Sequence, residues 1–349
     1  MRCLIASNSS TNNTRRIPFG SVVVITLALL LIATSARAGL RDGDELWMIN
    51  TRSISCNLNS ANISNPALRV YRYQGASGFQ VDTLDNLLIH SAQDTSCVNV
   101  LYIHGNRFTA QDAIKRVWNV YWRVRRQQSP AVRVRWILWS WPSDPTFGPL
   151  RDVRSKAMRA DTQTLYVGWF LQRFTGTDRL HIIGYSFGGR VATGGLHVAA
   201  GGTVGGRAVI GQPMLGQQIG VSLIAPALDR HWLSSGANHG LAVENIRQLN
   251  LFYNNHDGIL KLYSMISKYY DPVALGFAGL SGLAPRSDGL PIAVCSKNCS
   301  GTVGINHDEL KYYEHGCSAI NTISASIDAT FPLSPHQLMM LPAGSDFDH

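Results

Sequence analysis

The stretch "HIIGYSFGGR" (residues 181–190) places Ser186 among glycines, directly after a run of branched aliphatic residues. Gly184 and Gly188 complete the pattern G-x-S-x-G, in which a sharp turn between a strand and a helix holds a serine in a strained, accessible conformation. The same five letters also occur by chance in tight turns without any catalytic role. Ser186 is therefore a candidate nucleophile, and the decision depends on whether its chemical partners occur elsewhere in the chain.

The chain on both sides of Ser186 alternates between predicted strands and helices. Short apolar runs bounded by glycine or proline predict buried parallel strands, and segments of helical periodicity near 114–124 and 155–174 separate them. This alternation predicts an α/β fold with a mostly parallel sheet covered by helices, whose strands end at one common edge. The predicted strands are "CVNVLYIHG" (97–105), "VRVRWILWSWPSD" (132–144), "RLHIIGYS" (179–186), "VSLIAP" (221–226) and a run around Leu251.

Three further segments depart from this alternation. The segment from about 45 to 95 contains "LWMIN" and "LRVYRYQ", whose alternation predicts antiparallel strands at the edge of the same sheet. Glycine-rich residues 194–219 and Gly/Pro/Ser-rich residues 275–304 are predicted insertions after strand ends. Such insertions form either substrate loops and lids or surface loops without a role.

The first 38 residues are typical of a signal peptide. Arg15 and Arg16 precede the apolar run 21–34, and "ARA" at 36–38 offers small residues to a signal peptidase. The apolar run is shorter than the roughly 20 residues that span a bilayer, so an uncleaved anchor is the weaker alternative. Pro18 weakens a twin-arginine interpretation. We expect a secreted or periplasmic protein with one domain at 39–330 and a C-terminal tail at 331–349.

The charge of the chain excludes a nucleic-acid partner. The formal net charge is +9, but residues beyond the leader carry 27 basic against 22 acidic side chains. That excess is too small for a nucleic-acid-binding surface. The cluster "YWRVRRQQSPAVRVRW" (121–136) indicates either a solvated helix end leading into a strand or a peripheral contact with an anionic membrane or envelope polymer.

The cysteines favour disulfides over metal binding. Without the leader the chain has an odd number, so at most two intramolecular bridges form. C-x-x-C and H-E-x-x-H spacings are both absent from the sequence, and we therefore expect no metal and no cofactor. We predict one bridge between Cys56 and Cys97 and one within the C-terminal trio. The cysteines concerned are Cys56, Cys97, Cys295, Cys299 and Cys317.

A hydrolase with its nucleophilic serine in a G-x-S-x-G turn needs two backbone N–H groups, which bind the negatively charged oxygen (the oxyanion) that forms during the reaction. One belongs to Phe187, the residue after the nucleophile. The sequence "HGN" (104–106) closes an earlier strand, and we assign the second donor to Asn106, with Arg107 as the next choice. A serine in a G-x-S-x-G turn is activated by a histidine, which an Asp or Glu orients, and the three residues of this triad follow one another in the order Ser, Asp or Glu, His. His104 precedes Ser186, so it does not fit this order. We interpret His104 as a residue that shapes the loop.

The acid of the triad follows the nucleophile in the chain, and the base follows the acid. Asp257 comes just after the strand around Leu251 and can orient an imidazole; Asp229, after "LIAPALD", is its rival. An aspartate at the position of Asp257 can also cap a helix, a role compatible with catalysis.

For the base, His307 follows a short loop after the last predicted strand and is favoured over His315. Cys299 and Cys317 lie on either side of His307. A disulfide between them would hold the base in place, and the chain-entropy model gives such a loop about 3 kcal/mol.

Six stretches resemble the α/β-hydrolase superfamily, most closely a poorly characterised esterase/lipase-like branch of it, over residues 46 to 315. They are "INTRSI" (49–54), "VLYIHGN" (100–106), "LWSWPSD" (138–144), "HIIGYSFGGRV" (181–191), "LIAPALD" (223–229) and "LFYNNHDGILKLYS" (251–264). The resemblance implies Ser186 as nucleophile, Asp257 as acid and His307 as base. The branch more often has His and Met around the nucleophile, where this chain has Tyr185 and Phe187.

These residues predict a secreted serine hydrolase that cleaves a small-molecule or lipid ester through an acyl-enzyme, with Tyr185 in the wall of the substrate pocket. The alternative is an α/β-hydrolase fold used only for binding, because a fold alone does not ensure activity. The substrate and its acyl chain do not follow from the sequence.

Overall fold

The computed structural model describes residues 39–174, 176–266 and 271–330. The predicted signal peptide (1–38) and the C-terminal tail (331–349) lie outside the described residues. Within the described residues, no helix combines the length and the apolar character needed to cross a bilayer.

Nine strands of the described chain form one sheet. They are β1 (Glu45–Asn50), β2 (Arg69–Tyr73), β3 (Phe79–Asp82), β4 (Cys97–Ile103), β5 (Arg133–Ser140), β6 (Leu180–Tyr185), β7 (Ile219–Ile224), β8 (Ile246–Tyr253) and β9 (Ala293–Asn298). The accompanying helices are α1 (Leu84–Gln93), α2 (Ala110–Arg125), α3 (Pro149–Leu171), α4 (Phe187–Ala199), α5 (Leu275–Ala278), α6 (Ser300–Val303), α7 (Glu309–Tyr312) and α8 (Ala319–Asp328).

The strand order across the sheet is β3-β2-β1-β5-β4-β6-β7-β8-β9. From β1 to β9 every neighbouring pair is parallel, whereas β2 runs antiparallel to both β1 and β3. The predicted mostly parallel sheet with antiparallel N-terminal edge strands is confirmed, except that β1 lies inside the sheet and runs parallel to β5. An alternating pattern such as "LWMIN" specifies a strand but not the direction of its neighbour.

Helices cover both faces of the sheet. On β5, the ring of Trp136 packs at 5.8 Å against Tyr121 of α2, and the ring of Trp139 packs at 5.9 Å against Phe170 of α3. Side chains three residues apart on a strand point to opposite faces, so α2 and α3 lie on opposite sides. This arrangement explains why the central strands β4 to β7 are buried over nearly their whole length, as their largely apolar sequences predict.

The two predicted glycine-rich insertions are shorter than expected. Residues 194–199 complete helix α4, and β9 lies within 275–304. A Cβ on Gly195 would lie 2.4 Å from the side chain of Val167 in α3, so this glycine allows two helices to approach closely. Sequence composition suggested flexible loops here because glycine marks both loops and close packing.

The predicted Cys56–Cys97 bridge is wrong. Both thiols are free, whereas Cys299 and Cys317 form a disulfide that confirms the predicted bridge around His307. Cys56 follows the carboxyl end of β1, and Cys97 begins β4, which runs in the same direction. The two residues therefore lie towards opposite edges of the sheet, too far apart for a disulfide.

The basic cluster at 121–136 is largely occupied by structural ion pairs. Arg125 contacts Asp44 at 2.6 Å, Arg135 contacts Glu45 at 2.6 Å, and Arg133 contacts Asp94 at 3.2 Å. These pairs join α2 and β5 to the N-terminal segment. The cluster thus supports the structural interpretation, and it supplies no argument for an anionic partner.

Candidate active site

Four strands of the sheet end at the edge where the candidate residues lie. Asn106 follows β4, Ser186 follows β6, Asp257 follows β8, and His307 comes after β9. The chain runs from β4 to β5 in one direction across the sheet, and from β6 to β9 in the other. Such a reversal opens a crevice at the carboxyl ends of the strands, where open α/β sheets bind their ligands.

Ser186 occupies the turn between β6 and α4 with φ of 52° and ψ of −121°. A left-handed backbone at a residue other than glycine costs on the order of 1–3 kcal/mol and is kept where the surroundings impose it. Here the N–H of Ser186 donates to the carbonyl of Ile224 on the neighbouring strand β7 at 2.9 Å. The predicted strained turn is therefore present.

The glycines around Ser186 are required because a side chain at these positions would clash with neighbouring backbone. A Cβ on Gly188 would lie 2.0 Å from the carbonyl oxygen of Ile103, and a Cβ on Gly184 would lie 2.7 Å from the Cα of Gly189. Both contacts are with backbone atoms that cannot rotate away. The helix after the serine thus packs against β4 and β6 only if these positions carry no side chain.

The structure brings the three predicted triad residues together. Nε2 of His307 lies 2.9 Å from Oγ of Ser186, and Nδ1 of His307 lies 2.6 Å from Oδ2 of Asp257. The side chain of Asp257 is fully buried, and its other oxygen, Oδ1, accepts the backbone N–H groups of Ile259 and Leu260 at 2.9 Å each. Asp257 thus orients the imidazole and caps the following turn at the same time.

The rival residues lie outside this chain of hydrogen bonds. Asp229 accepts the backbone N–H of His231 at 2.8 Å, and its segment pairs with Ala274. His315 is exposed in the turn before α8, and the structure gives it no contact with Ser186. Of the alternatives left open by the sequence, Asp257 and His307 are therefore the ones that reach the serine.

The predicted oxyanion donors are available in the same place. Among the described residues, neither the N–H of Phe187 nor that of Asn106 donates to a protein acceptor, and both residues line the cavity at Ser186. The N–H of Arg107, the other candidate, donates to the carbonyl of Ser143 at 2.8 Å. The geometry thus favours Asn106.

His104 has the structural role predicted for it. Its ring is fully buried, with Nδ1 2.9 Å from the carbonyl of Gly105 and Nε2 accepting the N–H of Trp141 at 3.2 Å. Burial lowers the pKa of His104 to about 3, so the ring stays neutral. It stacks on Trp141 and shapes the loop that carries Asn106.

Sequence reasoning missed a buried charge pair beside this loop. Oδ1 of Asp152 accepts Nζ of Lys156 at 3.0 Å, and Oδ2 accepts Nδ2 of Asn106 at 3.0 Å. Although burial opposes it, hydrogen bonds from Thr146, Lys156 and Asn106 lower the pKa of Asp152 to about 2. The i, i+4 spacing of this pair is visible in the sequence, but it is also the spacing of ordinary surface pairs on helices.

A cavity of about 400 Å³ opens onto Ser186 and His307. Its lining is chiefly apolar, as in pockets that hold organic ligands. Tyr185 lines it as predicted, and its hydroxyl donates to the carbonyl of His307. The apolar lining comes from Phe108, Val153, Tyr185, Phe187, Ala227, Ile259, Leu260, Leu262, Tyr263 and Met265.

A second buried carboxyl group, that of Glu309, lies two residues after His307. Glu309 accepts hydrogen bonds from the hydroxyls of Tyr102 at 2.8 Å and Tyr313 at 3.2 Å, with Arg116 at 3.6 Å. Burial raises the pKa of Glu309 to about 7. This cluster ties α7, and with it the loop of His307, to β4 and α2.

Over the residues that the structure describes, no group of three or more metal-ligating side chains occurs.

No protein-family model and no curated protein matches this chain. Among solved structures, esterase B from Lactobacillus rhamnosis is similar at 14% identity and a TM-score of 0.38, with 89% of this chain and 94% of that chain covered. A hyperthermophilic esterase from Pyrobaculum calidifontis is similar at 12% identity and a TM-score of 0.36, covering 90% and 94%. A bacterial heroin esterase is similar at 13% identity and a TM-score of 0.34, covering 88% and 90%.

These likenesses concern the fold alone. The order of the strands and the turn at Ser186 are those of the α/β-hydrolase fold, and the predicted fold is confirmed.

Proposed function

We propose that the chain is a serine hydrolase that cleaves carboxylic esters through an acyl-enzyme intermediate. The observation that carries the proposal is the pair of hydrogen bonds from Ser186 to His307 (2.9 Å) and from His307 to Asp257 (2.6 Å), beside a mostly apolar cavity. A buried aspartate fixes the imidazole so that its other nitrogen takes the serine proton. A protein that only bound its ligand would have no use for this arrangement.

The geometry supports the following reaction. Oγ of Ser186 attacks the ester carbonyl while Nε2 of His307 accepts its proton, and the N–H groups of Phe187 and Asn106 bind the oxyanion that forms. Collapse of this intermediate breaks the bond to the alcohol, which leaves with the proton from His307. Water then attacks the acyl group by the same steps and releases the acid. Asp257 stabilises the imidazolium throughout.

The proposal is tested by labelling the purified chain with a fluorophosphonate probe, which reacts with activated serines. We expect the wild-type chain to be labelled and Ser186→Ala to remain unlabelled, with hydrolysis of short p-nitrophenyl esters lost in parallel. Ser281 is the matched control, because its Oγ also lies within 2.7 Å of a histidine nitrogen, Nδ1 of His231, but at the surface. Labelling should persist in Ser281→Ala. An unlabelled wild-type chain would favour the alternative of a protein that only binds.

We further propose that the chain is exported. The sequence of residues 1–38 supports this, as does the disulfide between Cys299 and Cys317, because disulfides persist mainly in oxidising compartments. Expression in a bacterial host followed by N-terminal sequencing should find mature chains that begin near residue 39 outside the cytoplasm. Full-length chains confined to the cytoplasm would contradict export.

A further inference from the structure

Large apolar side chains are exposed around the opening of the cavity. We call this set the mouth rim, and its members are Phe147 (98% exposed), Ile305 (78%), Ile259 (59%), Leu262 (55%) and Met265 (39%). Scattered exposed apolar residues are normal, but a group of them around a binding cavity marks a surface that meets another apolar phase.

Contacts within the chain hold the mouth rim at the cavity. Ile259, Leu262 and Met265 line the cavity themselves. The carbonyl of Ile305 accepts the N–H of Gly258 at 3.1 Å, which places Ile305 beside Ile259. Phe147 follows Thr146, whose N–H donates at 2.9 Å to the cavity residue Asp152. Three separate segments thus contribute to one rim.

Three exposed basic residues lie on or beside these segments. Arg107, at the cavity, has a side chain that is 59% exposed, and Arg151 and Lys261 are exposed next to the rim. The acidic residues of the same segments, Asp152 and Asp257, are buried and engaged in the contacts described above.

Two more carboxylates lie nearby, and each has a basic partner. Asp144, three residues before Phe147, is 53% exposed, and Arg52 binds it at 2.8 Å. The other lies on the His307 side. Asp308 is 48% exposed, but Arg116 binds it at 2.9 Å. An apolar rim flanked by cations therefore faces outward around the cavity.

We propose that the mouth rim docks on the surface of an anionic phospholipid bilayer and takes an acyl-lipid ester from it into the cavity. Apolar side chains that enter the boundary between headgroups and acyl chains, together with cations near anionic headgroups, are the two contributions that hold peripheral proteins on membranes. The choice of a lipid ester as substrate rests on the proposed function, whereas the docking itself does not.

The docking is tested by cosedimentation of the full chain carrying Ser186→Ala, which leaves the lipids intact. Vesicles of phosphatidylcholine alone are compared with vesicles containing one-fifth phosphatidylglycerol, at low and high salt. We expect binding to the anionic vesicles that weakens as salt rises, and little binding to phosphatidylcholine alone. Phe147→Ser should weaken binding at least tenfold, and Lys261→Glu about fivefold or more, since each charge near the surface contributes roughly 1 kcal/mol.

Matched controls lie on the antiparallel edge strands. Val81 is 83% exposed on β3, and Arg69 is exposed on β2, so Val81→Ser and Arg69→Glu should bind vesicles like the parent chain. Phe147→Ser in the active chain should hydrolyse a short soluble ester normally, because its side chain is outside the cavity. Absence of binding to anionic vesicles, or equal losses in the control variants, would overturn the docking proposal without affecting the labelling of Ser186.

A second inference concerns the loop that carries Asn106, the proposed oxyanion donor, and the buried Asp152 beside it. Asp152 is held by four groups besides Asn106: the N–H and hydroxyl of Thr146 at 2.9 and 2.6 Å, Lys156 at 3.0 Å and Arg107 at 3.4 Å. The side chain of Lys156 is fully buried, and Asp152 is the one carboxylate among the described residues with which it forms an ion pair. Such a buried ion pair is a poor source of stability, and another reason for it is expected.

We infer that Asp152 is a positioning residue for the oxyanion donor of Asn106, an inference that rests on the proposed function. Its carboxylate holds Nδ2 of Asn106 at 3.0 Å and so fixes the residue whose backbone N–H faces the cavity. Lys156 offsets the negative charge that would otherwise oppose the developing oxyanion. Oδ1 of Asn106 has no hydrogen-bond partner among the described residues, which leaves Asp152 to orient this side chain.

The test compares Asp152→Asn with Asp161→Asn, a matched change on the same helix. Asp161 binds Arg190 at 2.7 and 2.9 Å and does not contact Asn106. Because an oxyanion donor acts on the transition state, we expect Asp152→Asn to lower kcat on a soluble ester by about 10- to 100-fold with KM nearly unchanged, while Asp161→Asn leaves kcat within about twofold.

The double variant decides between positioning and a general loss of structure. Asn106→Ala keeps the backbone N–H but removes the anchor, so it should reproduce the kcat loss, and Asn106→Ala combined with Asp152→Asn should lose little more. Multiplied losses in the double variant, or a kcat unchanged in Asp152→Asn, would overturn the inference. Wild-type labelling by the fluorophosphonate shows separately whether the proposed function holds.

Discussion

The two oxygens of Asp257 have separate tasks. Oδ2 meets the imidazole of His307, and Oδ1 accepts the N–H groups of Ile259 and Leu260. An amide at this position can keep the second task while losing the first, because its oxygen still caps the turn and its NH₂ cannot accept the Nδ1–H of the base. The catalytic role that we propose for Asp257 and its role in folding are therefore separable.

We expect Asp257→Asn to lower kcat by about 10⁴-fold, since the imidazole is then held in the wrong tautomer. The thermal midpoint should change little. Ester hydrolysis and circular dichroism of the purified variant check both expectations. Asp229→Asn, at the rival aspartate, should keep its activity, and a comparable loss there would contradict the assignment of the acid.

At this scale the sequence predicted the three residues that the structure joins by hydrogen bonds, but not the groups that surround them. Chain order and strand ends led to Ser186, Asp257 and His307, because this fold imposes the order of its catalytic residues. Asp152 was not found, since nothing in a single sequence separates a buried aspartate on a helix from an exposed one. The choice between Asn106 and Arg107 does not follow from the sequence either, because it depends on which of the two N–H groups already donates to an acceptor in the folded chain.

Among the elements, the loop that carries the base is closed covalently. Cys299 and Cys317 are 18 residues apart, and His307 lies between them. In the chain-entropy model a loop of this length contributes about 3 kcal/mol to the free energy of unfolding. We expect the double variant Cys299→Ser/Cys317→Ser to lose about that much in urea denaturation. Cys295 is exposed and free on β9, so Cys295→Ser should unfold like the wild-type chain.

The first turn of helix α4 tolerates no side chain at Gly188. A Cβ there would meet the carbonyl of Ile103 at 2.0 Å, so Gly188→Ala must displace either the helix or β4. We expect a loss of about 1–3 kcal/mol in the free energy of unfolding, together with loss of fluorophosphonate labelling. Gly301 on α6 has open space around its Cα, and Gly301→Ala should be neutral in both assays. Normal labelling of Gly188→Ala would contradict the packing argument.

Element types were predictable where the apolar pattern was long and regular. Strands β4 to β8 follow from their largely apolar runs, and α2 and α3 from their periodicity. The parallel direction of β1, the position of β9 within 275–304 and the helical state of Gly194 and Gly195 did not follow. Each of these depends on a partner distant in sequence, which local pattern does not encode.

For the molecule as a whole, Glu309 makes stability depend on pH. Its pKa in the folded protein is raised to about 7 by burial, above the ordinary value of about 4.3 in an unfolded chain. Between these values the folded protein holds a proton that the unfolded chain has released, so stability falls as pH rises from about 4.5 to 7. The group's total contribution over this interval is about 3 kcal/mol.

We expect Glu309→Gln to remove this slope. In urea denaturation at pH 5, 6, 7 and 8, the wild-type chain should lose stability relative to the variant up to pH 7 and then remain parallel to it. Glu314 is half exposed beside Lys311, and Glu314→Gln should follow the wild-type profile. Parallel profiles for wild type and Glu309→Gln from pH 5 to 8 would show that Glu309 titrates normally.

His307, the proposed base, lies 121 residues beyond Ser186 in the chain, after β9 and within the disulfide loop. A ribosome or a translocation channel releases the serine long before it releases the histidine. A chain whose C-terminal part has yet to be made therefore carries Ser186 without the imidazole that we propose activates it.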